Sequence, residues 1–120
     1  MSQHDDRVRL NDMLAHATEA TTMARGRSRA DLDSDRMLQL ALVRLVEVVG
    51  EAAARVSKEG QARMPGVPWP QVVGMRNRLV HGYSAVDLDL LWDTIVDDLP
   101  ALIAALQQAL LTSPDEQAMP

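Results

Sequence analysis

Apolar residues recur along this chain at helical spacings, and no run shows the apolar and polar alternation of a half-buried strand. The expected fold class is therefore all-α. A first helix is expected from about Asp5 to Ala24, with Leu10, Leu14, Ala17 and Thr21 on one face, stopping near Gly26. The polar stretch RGRSRADLDS reads as a loop in which Asp33 or Ser34 caps the second helix. That helix has the clearest stripe: Leu38, Leu42, Leu45, Val49, Ala52 and Val56 must be buried together. Its opposite side carries Arg44, Glu47, Glu51, Arg55 and Lys58, with Glu51 and Arg55 in the favourable acid-before-base order one turn apart. Gly60 is expected to close it.

The prolines of ARMPGVPWP then forbid helix, and Pro70 suits the first turn of a new one, where its missing N–H is not needed. That short third helix is expected to end around Gly82, and Ser84 with Asp87 resembles a capping box for the last helix. There Leu88, Leu91, Ile95, Leu99, Leu102, Leu106 and Ala109 form a second long stripe, which Pro100 should bend. Short connections between such helices predict an antiparallel bundle of four to five helices in one domain, residues 1–112, with a disordered tail over residues 113–120. Alanine-rich faces bury little area each, which favours a core shared between two copies.

Composition narrows the chemistry. No apolar run is expected to span a bilayer and the amino terminus carries acids, so the expectation is a soluble cytoplasmic protein with no membrane partner. With no cysteine there is no disulfide, thiolate nucleophile or sulfur ligand. The net charge of −5 argues against non-specific coating of nucleic acid. The basic charge is nevertheless local: Arg55, Lys58, Arg63, Arg76 and Arg78 stand against Glu59 alone, whereas from Leu79 onward there is no Lys or Arg. Such segregation also arises on ordinary solvated faces.

His4, His16 and His81 are the only histidines, and none has a familiar ligand spacing, so no metal site and no cofactor are expected. Nor is there a Gly-rich phosphate loop or a serine elbow. The acid pairs Asp97 with Asp98 and Glu47 with Glu51 read as solvated helix faces. His81 stands apart because Arg76, Asn77, Arg78 and Tyr83 surround it in RNRLVHGY. On one continuous helix Asn77 and His81 would project together, with Arg76 about 140° around from His81. Imidazole transfers protons near neutral pH, and guanidinium holds phosphate oxygens and offsets developing negative charge. Those groups suffice for metal-free RNA cleavage, but structural hydrogen bonds at a helix end would use the same residues.

RNRLVHGY resembles the motif of HepT-like nucleases of the HEPN superfamily: Arg, four residues, His, one residue, Tyr, with a polar residue directly after the Arg. VEVVGEAAARVS, VPWPQVVGMRNRLVHGY and LWDTIVDDLPALI resemble that family's segments in their usual order, so the likeness runs from about Asp6 to Leu111. It implies a HEPN-like helical homodimer with two motifs facing one cleft, and a metal-independent ribonuclease toxin with RNA as substrate. It assigns Arg76 and His81 as the catalytic pair and Asn77 as a supporting polar group; beside these, Arg78 and Glu51 are candidates for a supporting part. Glu51 could order Arg76 or another motif residue by an ion pair, but a structural pair with Arg55 is the expected role. The implied antitoxin is a minimal nucleotidyltransferase that transfers AMP from ATP to Tyr83, putting bulk and negative charge where RNA phosphate should bind. The alternative is a non-catalytic helical binding subunit of such a nucleotidyltransferase, with the same residues used for structure or to hold a nucleotide.

Overall fold

A computed structural model describes residues 3–81 and 85–111. The helices are α1 (Gln3–Ala24), α2 (Arg29–Ser34), α3 (Arg36–Ala54), α4 (Lys58–Arg63), α5 (Trp69–Val73) and α6 (Met75–Leu79). Two short strands come next, β1 (Val80–His81) and β2 (Ala85–Val86), then α7 (Leu88–Asp93), a π-helical turn (Thr94–Asp98) and α8 (Leu99–Leu111). The architecture is all-α as expected, in more pieces than the periodicity suggests.

Helix α1 is the central post. Its buried positions are Leu10, Met13, Ala17, Ala20 and Ala24, so the stripe is rotated from the expected one and Leu14 is only partly covered. The small side chains on this face let α3 and α8 come close. Both run antiparallel to α1. Asp6 near its start accepts hydrogen bonds from Ser57 just beyond α3, and Arg7 Nη2 donates to the Leu110 carbonyl at the end of α8 (3.4 Å).

The expected second helix is broken in two. Its stripe is buried as expected from Leu38 to Val56, but α3 stops at Ala54 and Ser57 caps α4. Ser57 N donates to Asp6 Oδ1 (2.8 Å), Ser57 Oγ donates to Asp6 Oδ2 (2.5 Å), and Ser57 Oγ accepts from Gly60 N (3.0 Å). Asp6 is only 4% exposed. Gly60 therefore does not close a helix but lies buried inside one, where a Cβ would collide with the Asp6 carboxylate. Upstream, the expected loop contains α2, and Asp35, not Asp33 or Ser34, caps α3 by accepting from Leu38 N (3.0 Å).

Along the last helix Leu91, Ile95, Leu99, Leu102 and Leu106 are all buried; the π-helical turn and α8 pack on α1, while α7 packs against α2, α3 and α6. The π-helical turn lies directly before Pro100, and Leu99 N donates to Thr94 O, five residues back. A proline ring clashes with the carbonyl four residues earlier, and widening the turn is one way to relieve it. Contrary to expectation, Leu88–Leu111 is long and apolar enough by composition to cross a membrane. Its stripe belongs to the hydrophobic core, which is the use a core helix makes of such a run. Ser84 and the tail, residues 112–120, lie outside the described residues. Asp87 caps α7 by accepting from Leu90 N (2.9 Å).

Candidate active site

The motif segment is carried by α5 and α6, two short helices docked on α3. Trp69, Val72, Met75 and Leu79 are buried; each such side chain contributes about 1.5–3 kcal/mol of hydrophobic stabilisation. Trp69 Nε1 also donates to the Gln61 and Met64 carbonyls (3.1 Å each), which ties α5 to the end of α4. The fit to α3 depends on Gly50: a Cβ there would stand 3.3 Å from the Val72 carbonyl oxygen and 3.7 Å from that of Val73. Burial of one face of α6 leaves Arg76, Asn77 and Arg78 exposed on the others.

Arg76 is turned toward α3, and its Nε donates to Glu47 Oε2 at 3.0 Å. The Glu47 side chain is 22% exposed and that of Arg76 54%, so the carboxylate is the covered member and the cation projects outward. Glu51, one turn further along α3, pairs with Arg44 (3.5 Å). The acid on Arg76 is thus Glu47, and Glu51 reaches neither Arg76 nor Arg55. By spacing alone both acids belong to one solvated face, since the sequence does not show which of them the rotation of α3 turns toward α6.

Arg78 lies on the other side of α6. It lines a groove of about 410 Å³ with Gln71, Met75, Asp97 and Asp98, away from Arg76. Asp89 is held by α2: Arg29 Nε donates to its Oδ1 (2.7 Å), and Asp33 joins the same guanidinium (3.1 Å). These two carboxylates hold the Arg29 pKa above its ordinary value, Asp89 contributing most. The acidic start of the last helix is in this way partly engaged with α2.

The expected single helix through the motif does not form. Helix α6 ends at Leu79, and Val80 and His81 pair antiparallel with Val86 and Ala85. Asp87 N donates to the Leu79 carbonyl (2.9 Å), so the helix gives way to a ladder whose partner strand comes later in the chain. Asn77 and His81 therefore do not share a helical face. The backbone of His81 is fixed in the ladder two residues beyond α6; its side chain and the whole of Tyr83 lie outside the described residues.

A family model described as Ribonuclease HepT-like matches residues 13–109, which take in α3, α6 and the whole motif. The chain belongs to the HepT-like ribonuclease family. This HepT-like chain is 30% identical over 102 residues to a provisionally named RNase of Methanocaldococcus jannaschii, covering 85% of this chain and 94% of that one. It is 35% identical over 86 residues to a provisionally named RNase of Caldanaerobacter subterraneus subsp. tengcongensis, covering 72% and 77% of the two chains. A Thermococcus cleftensis protein named Probable ribonuclease HepT is 35% identical over 72 residues, or 60% of this chain and 66% of its own. No solved structure matches the HepT-like chain.

Proposed function

We propose that this HepT-like chain is the ribonuclease toxin of a toxin–antitoxin pair, acting in the cytoplasm as a homodimer and without a metal ion. The observation that carries the reading is an Arg76 guanidinium held outward from α6, inside a motif that the family match spans. In this reading a ribose 2′-hydroxyl attacks the adjacent phosphate, His81 transfers a proton, and Arg76 offsets the charge that builds on the phosphoryl oxygens, with Asn77 as a polar support. The bond to the 5′-oxygen breaks as that oxygen takes up a proton, and DNA is spared because it lacks the attacking hydroxyl. Two copies would supply what one copy separates, since Arg76 and the backbone of His81 belong to different elements. Leu40 lies two turns before Glu47 on the same face of α3, and Val73 lies one turn before Arg76. Both are exposed, at 54% and 37%, and form apolar surface that a second copy would cover.

The proposed antitoxin is a minimal nucleotidyltransferase that transfers AMP from ATP to the Tyr83 hydroxyl with release of pyrophosphate. The test expresses wild type, Arg76→Ala and His81→Ala without a partner and incubates each purified protein with total cellular RNA in EDTA. Wild type should cut, and each variant should lose about 100-fold or more in rate. Intact RNA with wild type, or undiminished cutting by His81→Ala, refutes the nuclease mechanism. Incubation with the partner and ATP should add adenylate mass to wild type and none to Tyr83→Phe.

A further inference from the structure

We propose that Glu47 is a positioning residue for RNA cleavage: together with Gly50 it sets Arg76 so that the terminal nitrogens of the guanidinium face the phosphate. The inference rests on the assignment of Arg76 above.

Guanidinium has one Nε–H donor and four more on its two terminal nitrogens. Glu47 takes the first, at 3.0 Å, and among the described residues none accepts a hydrogen bond from the others. A carboxylate gripping the terminal fork would compete with phosphate for the same donors. A grip at Nε does the reverse, because it fixes the plane of the group and leaves the planar fork open for phosphate oxygens. The burial asymmetry agrees with this: 22% exposure for Glu47 against 54% for Arg76 places the anchor inside and the working end outside.

Two neighbours make Glu47 available and bring it within reach. Arg44 occupies Glu51, the next acid on that face of α3, so Glu47 has no competing arginine there among the described residues. Gly50, one turn beyond Glu47, lets the backbone of α5 approach α3 to within 3.3 Å of where a Cβ would stand. A methyl group at this position would press on the Val72 carbonyl and move α5 and α6 outward by a few tenths of an ångström. The contact between Glu47 and Arg76 would loosen as a result. A long arginine side chain has many rotamers, and a site in which it is already set avoids reorganisation at the moment of reaction.

The experiment measures apparent kcat and KM on total cellular RNA in EDTA, and the melting temperature, for wild type, Glu47→Ala, Glu47→Asp, Glu47→Gln, Gly50→Ala, Arg76→Ala and the Glu47→Ala/Arg76→Ala double variant. Glu47→Ala should lower kcat about tenfold with KM within about threefold, since misplacement of the order of 1 Å at a reacting centre costs up to about 100-fold. Glu47→Asp keeps the charge, is one methylene short, and should lower kcat at an unchanged melting temperature even where the alanine variant folds poorly. Glu47→Gln should stay within about threefold of wild type, because its amide oxygen still accepts from Nε. Gly50→Ala should lower kcat less than Glu47→Ala. The double variant should be no slower than Arg76→Ala alone. The proposal is overturned if Glu47→Ala and Glu47→Asp keep wild-type kcat, or if Glu47→Ala slows the enzyme further in the Arg76→Ala background. Full activity of Arg76→Ala would instead refute the assignment of Arg76 itself.

Discussion

Asp6 and Glu47 each reach across from their own helix to a neighbouring part of the chain, and they do so in opposite ways. Asp6 is 4% exposed and accepts from the backbone and the hydroxyl of Ser57, while Gly60 presses against it so closely that no side chain fits. Asp6 and Gly60 in that junction are buried, and Ser57 is partly covered. Glu47 is covered too, but its partner Arg76 is half out in solvent and uses only one of its donors on the pair. The first junction consumes its hydrogen-bonding capacity in holding α1 to the turn between α3 and α4. The second leaves capacity over, and unspent donors on a fixed cation are what a substrate phosphate can use.

Stability measurements can break that contrast, beginning with the largest expected effect. Gly60→Ala places a methyl group against the Asp6 carboxylate and should cost about 3 kcal/mol, a fall in melting temperature on the order of 10 °C. An unchanged melting temperature would show that the junction is loose and not a closed one. Asp6→Asn keeps one acceptor but turns an amide NH₂ toward donors, and should cost about 1–2 kcal/mol in a denaturant titration. The refolded variant should keep wild-type kcat; a selective loss of kcat would erase the distinction between a scaffold carboxylate and a site carboxylate. Smallest of all, Arg29→Ala removes an exposed pairing with Asp89 and Asp33. Its melting point should drop slightly at low salt and match wild type in about 1 M salt, where the Debye length is about 3 Å.

The sequence already displays what depends on periodicity. The stripe from Leu38 to Val56 is long and regular, and it is buried as its spacing requires. The breaks are hidden because distant residues decide them: α3 gives way to α4 where Asp6, 51 residues upstream, takes hold of Ser57. The same holds for the motif. RNRLVHGY is legible as a string, yet its path is set by Ala85 and Val86, which draw Val80 and His81 into a ladder and end the helix. On α1 the pattern is ambiguous because Leu14 and Met13 are equally apolar. Only the close approach of α3 and α8 to Ala17, Ala20 and Ala24 decides which face turns inward. Glu47 is hard to single out for a related reason, since which of two acids on one helix meets an arginine depends on how that helix is rotated.

The π-helical turn before Pro100 also fixes the phase of the last helix. Eight residues of α-helix advance about 80° beyond two full turns, which would carry Leu99 well off the line of Leu91. Both residues are buried, with Ile95 between them, because the wider turn absorbs that excess. The end of the helix attached to the β ladder and the end packed along α1 thereby present one continuous apolar face. Removing a single residue from Thr94–Asp98 would restore the narrower winding and leave seven steps between Leu91 and Leu99, about 20° short of two full turns, so α7 and the ladder that carries His81 should stay aligned with the bundle.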